Sequence, residues 1–225
     1  MSNPELLAVL ALGTALMCIP ISLQMKWYRI AAWKSIVVSL VLVLTGVLGS
    51  KIWFFVENGH FNGRSFYGAV FLAPLVYWPV SGLMKIPYGQ IMDFCAPAGC
   101  LTLAMVKVQC LRDRCCEGIA LYVDENFHYV RFPSEIVEMT VFLIIAFILL
   151  LVCSKTKNRT KGFPWFLVLY GSTRFVLDYF RSIRPVYALG LSAGSFWSLI
   201  ALSAGIGILL WMQIGNKKKL VENAK

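Results

Sequence analysis

The chain has 225 residues, of which 59% are hydrophobic and only 14% charged, and its mean hydropathy is +0.72. A soluble domain carries nearly twice that charge fraction, so an ordinary water-soluble domain is excluded. The formal net charge of +10 reads as basic cytoplasmic loops, not as a nucleic-acid footprint.

Apolar runs of about 18 residues or more predict an all-α, polytopic membrane helical bundle. Helices satisfy their own backbone groups in lipid without needing closure into a barrel. Seven spans are expected, near residues 4–23, 30–50, 65–84, 88–107, 134–154, 163–180 and 193–214. The opening stretch "MSNPELLAVLALGTALMCIPISL" has neither a basic leader region nor an A-x-A cleavage site, so it is expected to be a retained first span. Residues 1–225 read as a single integral-membrane domain, with residues 108–133 as an extracytoplasmic arm.

The loops orient the chain. With the N-terminus outside and the C-terminus cytoplasmic, twelve of the 21 cations fall inside, dominated by the "KTKNRTK" loop and the "KKK" tail. The other nine then lie at the outer face or in the outer half of the membrane, and seven of these fall between Lys107 and Arg184.

That topology brings several charges to one depth. Lys107 closes the fourth span, while Glu135 and Glu138 share a face at the start of the fifth. Tyr170, Arg174 and Asp178 form an i, i+4 stripe on the sixth, and Tyr67 opens the third. Arg174 lies roughly 9 Å inside an outer end placed at Phe180. A charge costs about 2.5–3.5 kcal/mol at a helix centre, less near the interface, which favours groups that are paired or used. The bland alternative is an Arg174–Asp178 pair with Arg181 snorkelling to the interface. Three helices charged at one depth favour a shared polar site for an anionic headgroup.

The loop "KVQCLRDRCCEGIALYVDENFHYVRFP" is the longest outside the membrane, and Arg112, Asp113, Arg114, Glu117 and Gly118 are candidates to cover that site. Cys110, Cys115 and Cys116 have an unorthodox spacing for a metal, with His128 the one histidine nearby. A disulfide or idle thiols are preferred there, and no cofactor or metal is expected. Asp93, shallow in the fourth span, reads as structural, through capping or pairing with Lys85.

These residues also carry a family pattern. "YGSTRFVLDYFR" resembles the Y-G-x-x-R-F-x-x-E-x-x-R segment of prolipoprotein diacylglyceryl transferases, and "FPSEIVE" is similar to their H-P-S-Q-L-Y-E. "GRSFYGAVF" looks like G-x-S-F-H-G-G. "DFCAPAGCLTLAMVKVQCLRDRCCEG" resembles D-x-x-A-P…G-R-x-x-N-F-x-N-x-E-x-x-G, and "LGLSAGSFWSLIALSAGI" the L-S-x-G-Q-x-x-S-L of the last span. In order and spacing the likeness covers nearly all the chain after residue 60. The pattern's histidine is replaced by Tyr67, its arginine by Lys107, its asparagines by Cys110 and Asp113, and its glutamates by Cys115 and Asp178. Its tyrosine becomes Val137. Tyr170, Arg174, Arg181, Glu138, Pro133, Ser134, Asp93, Pro97 and Gly118 match.

The resemblance implies a multi-pass enzyme of the bacterial inner membrane that moves diacylglyceryl from phosphatidylglycerol to a lipobox cysteine of a lipoprotein precursor, releasing glycerol phosphate. The expected catalytic set is Tyr67, Lys107, Arg174, Asp178 and Glu138. Arg174 and Lys107 would clamp the phosphate, Asp178 and Glu138 would orient those cations, and Tyr67 is the candidate base. Tyr170, Asp113, Gly118, Arg181 and Ser134 are the expected substrate-binding set. The expected partners are phosphatidylglycerol or another anionic phospholipid, the signal peptides of precursors, and the membrane. Two alternatives stay open: a related lipid transferase with another acceptor or donor, and a non-catalytic lipid-binding paralogue. A small transporter is disfavoured, since no internal repeat is visible and the charges avoid the bilayer midplane.

Overall fold

The computed structural model describes residues 3–60, 65–113, 116–123, 129–155, 160–182, 184 and 186–222, with backbone alone for residues 3–10, 109, 113 and 216–222. Seven helices form among these residues: α1 (Asn3–Trp27), α2 (Trp33–Asn58), α3 (Phe66–Met84), α4 (Tyr88–Asp113), α5 (Ser134–Lys155), α6 (Gly162–Asp178) and α7 (Ala193–Glu222). Two antiparallel hairpins interrupt them, β1 (Ala120–Val123) with β2 (Tyr129–Arg131), and β3 (Val186–Ala188) with β4 (Leu191–Ser192).

Five helices, α2, α3, α4, α5 and α7, are long and apolar enough to cross a membrane. Their surfaces carry the mark of a lipid solvent. Leu83, Trp78 and Trp211 are each at least three-quarters exposed, a pattern that water would penalise and acyl chains do not. The chain is thus an α-helical, multi-pass membrane protein.

Two compact units make up the chain. The first comprises Met1–Thr102 with Leu150–Gly162, the second Leu103–Leu149 with Phe163–Lys225. In the first, α2 and α3 cross closely: a Cβ added at Gly68 would lie 2.0 Å from the carbonyl oxygen of Gly49. Two buried polar donors there reach backbone carbonyls, as burial in a low dielectric favours. Gln24 donates to the carbonyls of Pro20 and Phe94, and the hydroxyl of Tyr77 donates to the carbonyl of Val38. The buried carboxylate of Asp93 lies against Gly162 of the same unit.

Helix ends differ from the hydropathy reading at two places that matter for the site. α4 continues to Asp113 instead of stopping near residue 107, because "KVQCLRD" is polar yet contains good helix formers and no breaker. α6 ends at Asp178, after which residues 179–182 turn and leave Arg181 off the helix.

Candidate functional site

The site is assembled within the second unit from the first turns of α5, the last turns of α4, the end of α6 and the segment 116–119. Ser134 opens α5, and its hydroxyl donates to the carbonyl of Cys116. Glu135 occupies the first turn, where an acid complements the helix dipole. One turn further in stands Glu138, with no exposed surface. A carboxylate so placed is stable only if fully compensated.

Three cations compensate it. Lys107 of α4 places Nζ 2.6 Å from Glu138 Oε2. Arg174 of α6 donates from Nη1 to Oε1 at 2.8 Å. Arg181, past the end of α6, donates from Nε to the same oxygen at 3.3 Å. Three formal positive charges against one negative leave a local excess of +2 in a poorly hydrated setting, where charge–charge effects are strong. Guanidinium groups of this kind match carboxylate and phosphate oxygens alike.

The sulfur of Cys116 lies at the rim of this cluster, 3.3 Å from Arg181 Nη2 and 3.7 Å from Lys107 Nζ. Its segment is stitched to the end of α6. Gly118 pairs with Arg181 in an isolated β-bridge, Ile119 N donates to Phe180 O, and Ser182 N donates to Glu117 O. The rings of Phe132 and Phe180 stack at 4.8 Å. Gly118 is required by space: a Cβ there would lie 2.2 Å from the carbonyl oxygen of Phe132. The expected substrate-binding roles of Gly118 and Ser134 therefore stand beside an evident structural one, since both residues fix the arm.

Asp178 occupies a different position from the expected one. Its carboxylate accepts from the hydroxyls of Ser192 and, at 2.8 Å, of Ser195, and Arg184 Nε lies 3.6 Å away. The Ser192 hydroxyl in turn accepts from Ser195 N at 3.1 Å, capping α7. Asp178 thus joins α6 to the start of α7, and the i, i+4 partnership with Arg174 does not form. Residue 178 ends its helix and turns toward the following segment, while Arg174 reaches Glu138. Arg184 also stacks over the ring of Tyr179 at 4.2 Å.

Tyr170 lies one turn before Arg174, buried in an aromatic cluster with Phe166 at 5.5 Å and Phe142 at 6.0 Å. Tyr67 belongs to the first unit, where it is buried on α3 and stacked on Phe71. The side chain of Asp113, and residues Arg114, Cys115 and His128, lie outside the described residues.

A model of the prolipoprotein diacylglyceryl transferase family matches residues 6–211. The chain belongs to this family. Phosphatidylglycerol–prolipoprotein diacylglyceryl transferase of Helicobacter pylori (strain P12) is 33% identical over 112 residues, 47% of this chain and 37% of that protein. The proteins of the same name from Polaromonas naphthalenivorans (strain CJ2) and Pseudoalteromonas atlantica (strain T6c / ATCC BAA-1087) are 27% and 26% identical, over 67% and 69% of this chain. The matches span only 37%, 60% and 61% of the three relatives' own lengths.

In this member of the diacylglyceryl transferase family, the whole Glu138 cluster lies inside the matched region. Its four charged members, Lys107, Glu138, Arg174 and Arg181, are all legible in the sequence, and Glu138 contacts both cations that it is expected to orient. Arg181 as its third partner is not foreseen, nor are Ser192, Ser195 and Arg184 as partners of Asp178. A hydroxyl residue immediately before the apolar run of α7 was the available signal, since serine there commonly caps a helix.

Proposed function

We propose that the chain is a phosphatidylglycerol-dependent diacylglyceryl transferase of the bacterial inner membrane, acting on a lipobox cysteine of a lipoprotein precursor. The reading includes seven spans with the N-terminus outside, and a reaction site at the outer face. The observation that carries it is the meeting of Lys107, Arg174 and Arg181 around one buried carboxylate, within a chain of this family.

In the proposed reaction the acceptor thiol loses its proton and its sulfur attacks the terminal glyceryl carbon. The carbon–oxygen bond to phosphate breaks, and glycerol phosphate leaves with the bonding electrons. A thioether is formed. Thiolate is the competent nucleophile, and negative charge grows on the departing phosphate. Arg174 and Lys107 clamp that phosphate, with Arg181 beside them. Glu138 holds the three cations in register before the donor arrives, a preorganisation that dominates many catalytic sites. Asp178 acts through Arg184 and the cap of α7. Tyr170 contributes contacts to the headgroup, and Tyr67 is the proposed proton acceptor.

The test is thioether formation on a lipobox peptide with phosphatidylglycerol vesicles. The wild-type chain should form it, and Arg174→Ala should lose at least about a hundredfold in rate, the usual effect of removing one preorganised charge-stabilising group, while still inserting into the membrane. Undiminished activity in Arg174→Ala removes the clamp. An inert wild-type chain that still takes up a phosphatidylglycerol photoprobe would mark a lipid-binding protein instead.

A further inference from the structure

The β3–β4 hairpin between α6 and α7 turns on Leu189 and Gly190, whose φ angles are +53° and +74°. Two successive left-handed residues make the tight hairpin turn normally built from asparagine, aspartate or glycine, because a branched or bulky side chain crowds its own backbone there. Leucine is a strained choice, and it gains nothing within the folded chain, since Leu189 is 90% exposed. Val186 on the same hairpin is 76% exposed. An apolar residue held in a strained corner with no cover from its own chain has its partner elsewhere.

The location of the hairpin identifies that partner. α7 begins directly after β4 and is long and apolar enough to span the bilayer. The ring of Tyr187 packs on those of Phe196 and Trp197 at 5.7 and 6.4 Å, an aromatic group of the type that settles at membrane–water interfaces. Leu189 and Leu191 also line an open groove of about 560 Å³ together with Phe196, Leu199, Ile200 and Ala204. Ala204 lies about three turns into α7, roughly 16 Å along its axis from Ala193. The hairpin therefore flanks the first turns of a lipid-spanning helix through Tyr187, while the Leu189 side chain at its tip stays open. The groove walls are aliphatic and aromatic, with the hydroxyl of Ser203 their one polar side-chain group.

We propose that the β3–β4 hairpin is a membrane-interface element that inserts Leu189 into the bilayer, and that the groove between it and α7 holds one acyl chain of a surrounding phospholipid. The apolar lining suits a hydrocarbon chain, and the groove offers nothing that would select a headgroup or a charged peptide. The inference concerns lipid contact alone and stands apart from the transfer reaction.

The experiment uses the full chain in phosphatidylglycerol/phosphatidylethanolamine nanodiscs. Leu189→Cys is alkylated with a charged, bilayer-impermeant maleimide and read peptide by peptide, so that the native cysteines do not interfere. The protein itself leaves position 189 open, so only lipid can shield it. Labelling at least tenfold slower than in the unfolded chain is expected, and an equal rate overturns the proposal. A photoreactive benzophenone amino acid in place of Leu189 provides a second reading should the cysteine variant fold poorly. A phospholipid adduct on irradiation is expected. Crosslinking to another copy of the chain, or no adduct, overturns the proposal.

Discussion

Lys107 Nζ stands 2.6 Å from a carboxylate oxygen of Glu138, and neither residue is more than slightly exposed. Around that pair Arg174 and Arg181 complete a group in which one anion holds three cations. Such an arrangement is fragile to the loss of its centre and tolerant of conservative change at its rim.

Glu138→Leu removes the centre and leaves three cations crowded without the carboxylate that holds them together. Stranding a buried charge costs about 3–5 kcal/mol. For a chain of this size that corresponds to a fall in Tm of about 6–20 °C, at roughly 2–4 °C per kcal/mol. Differential scanning fluorimetry in detergent checks this, and a Tm within a degree of wild type would mean the cluster adds no stability.

Gly118→Ala tests the arm. The new methyl group would meet the Phe132 carbonyl at 2.2 Å, so the backbone pairing with Arg181 must shift. Overpacking of this kind costs about 1–3 kcal/mol. Faster protease cleavage between residues 116 and 134 is the expected readout. A cleavage rate like that of wild type would show that the segment accommodates the methyl group freely.

Asp178→Ala removes the acceptor of two serine hydroxyls and the partner of Arg184, whereas Asp178→Asn keeps an acceptor oxygen. Unsatisfied buried polar groups cost about 1–3 kcal/mol. The alanine variant should therefore show faster amide exchange over residues 192–196 than the asparagine variant. Equal exchange in the two would rule out the cap as its main role.

The helices were legible because lipid leaves the backbone few alternatives: long apolar runs have little else to form. Their ends were less so. "KVQCLRD" is polar enough to read as loop, yet nothing in it stops α4, which runs to Asp113. The strands "VYA" and "LS" are too short to leave a periodic signal. At the site, spacing shows which residues share a helix face but not which helix that face meets. Arg174 and Asp178 sit on one stripe and still diverge, one to Glu138 and the other to Ser192 and Ser195. The hub role of Glu138 depends on three distant segments, and no local pattern announces it.

The chain supplies its own anion to the three cations. One carboxylate offsets only part of their charge, so the cluster is gathered without being neutralised. It keeps its shape while empty and still attracts a further anion. A phosphodiester arriving there would find the positive groups already in place, and the cost of bringing them together would have been met when the chain folded.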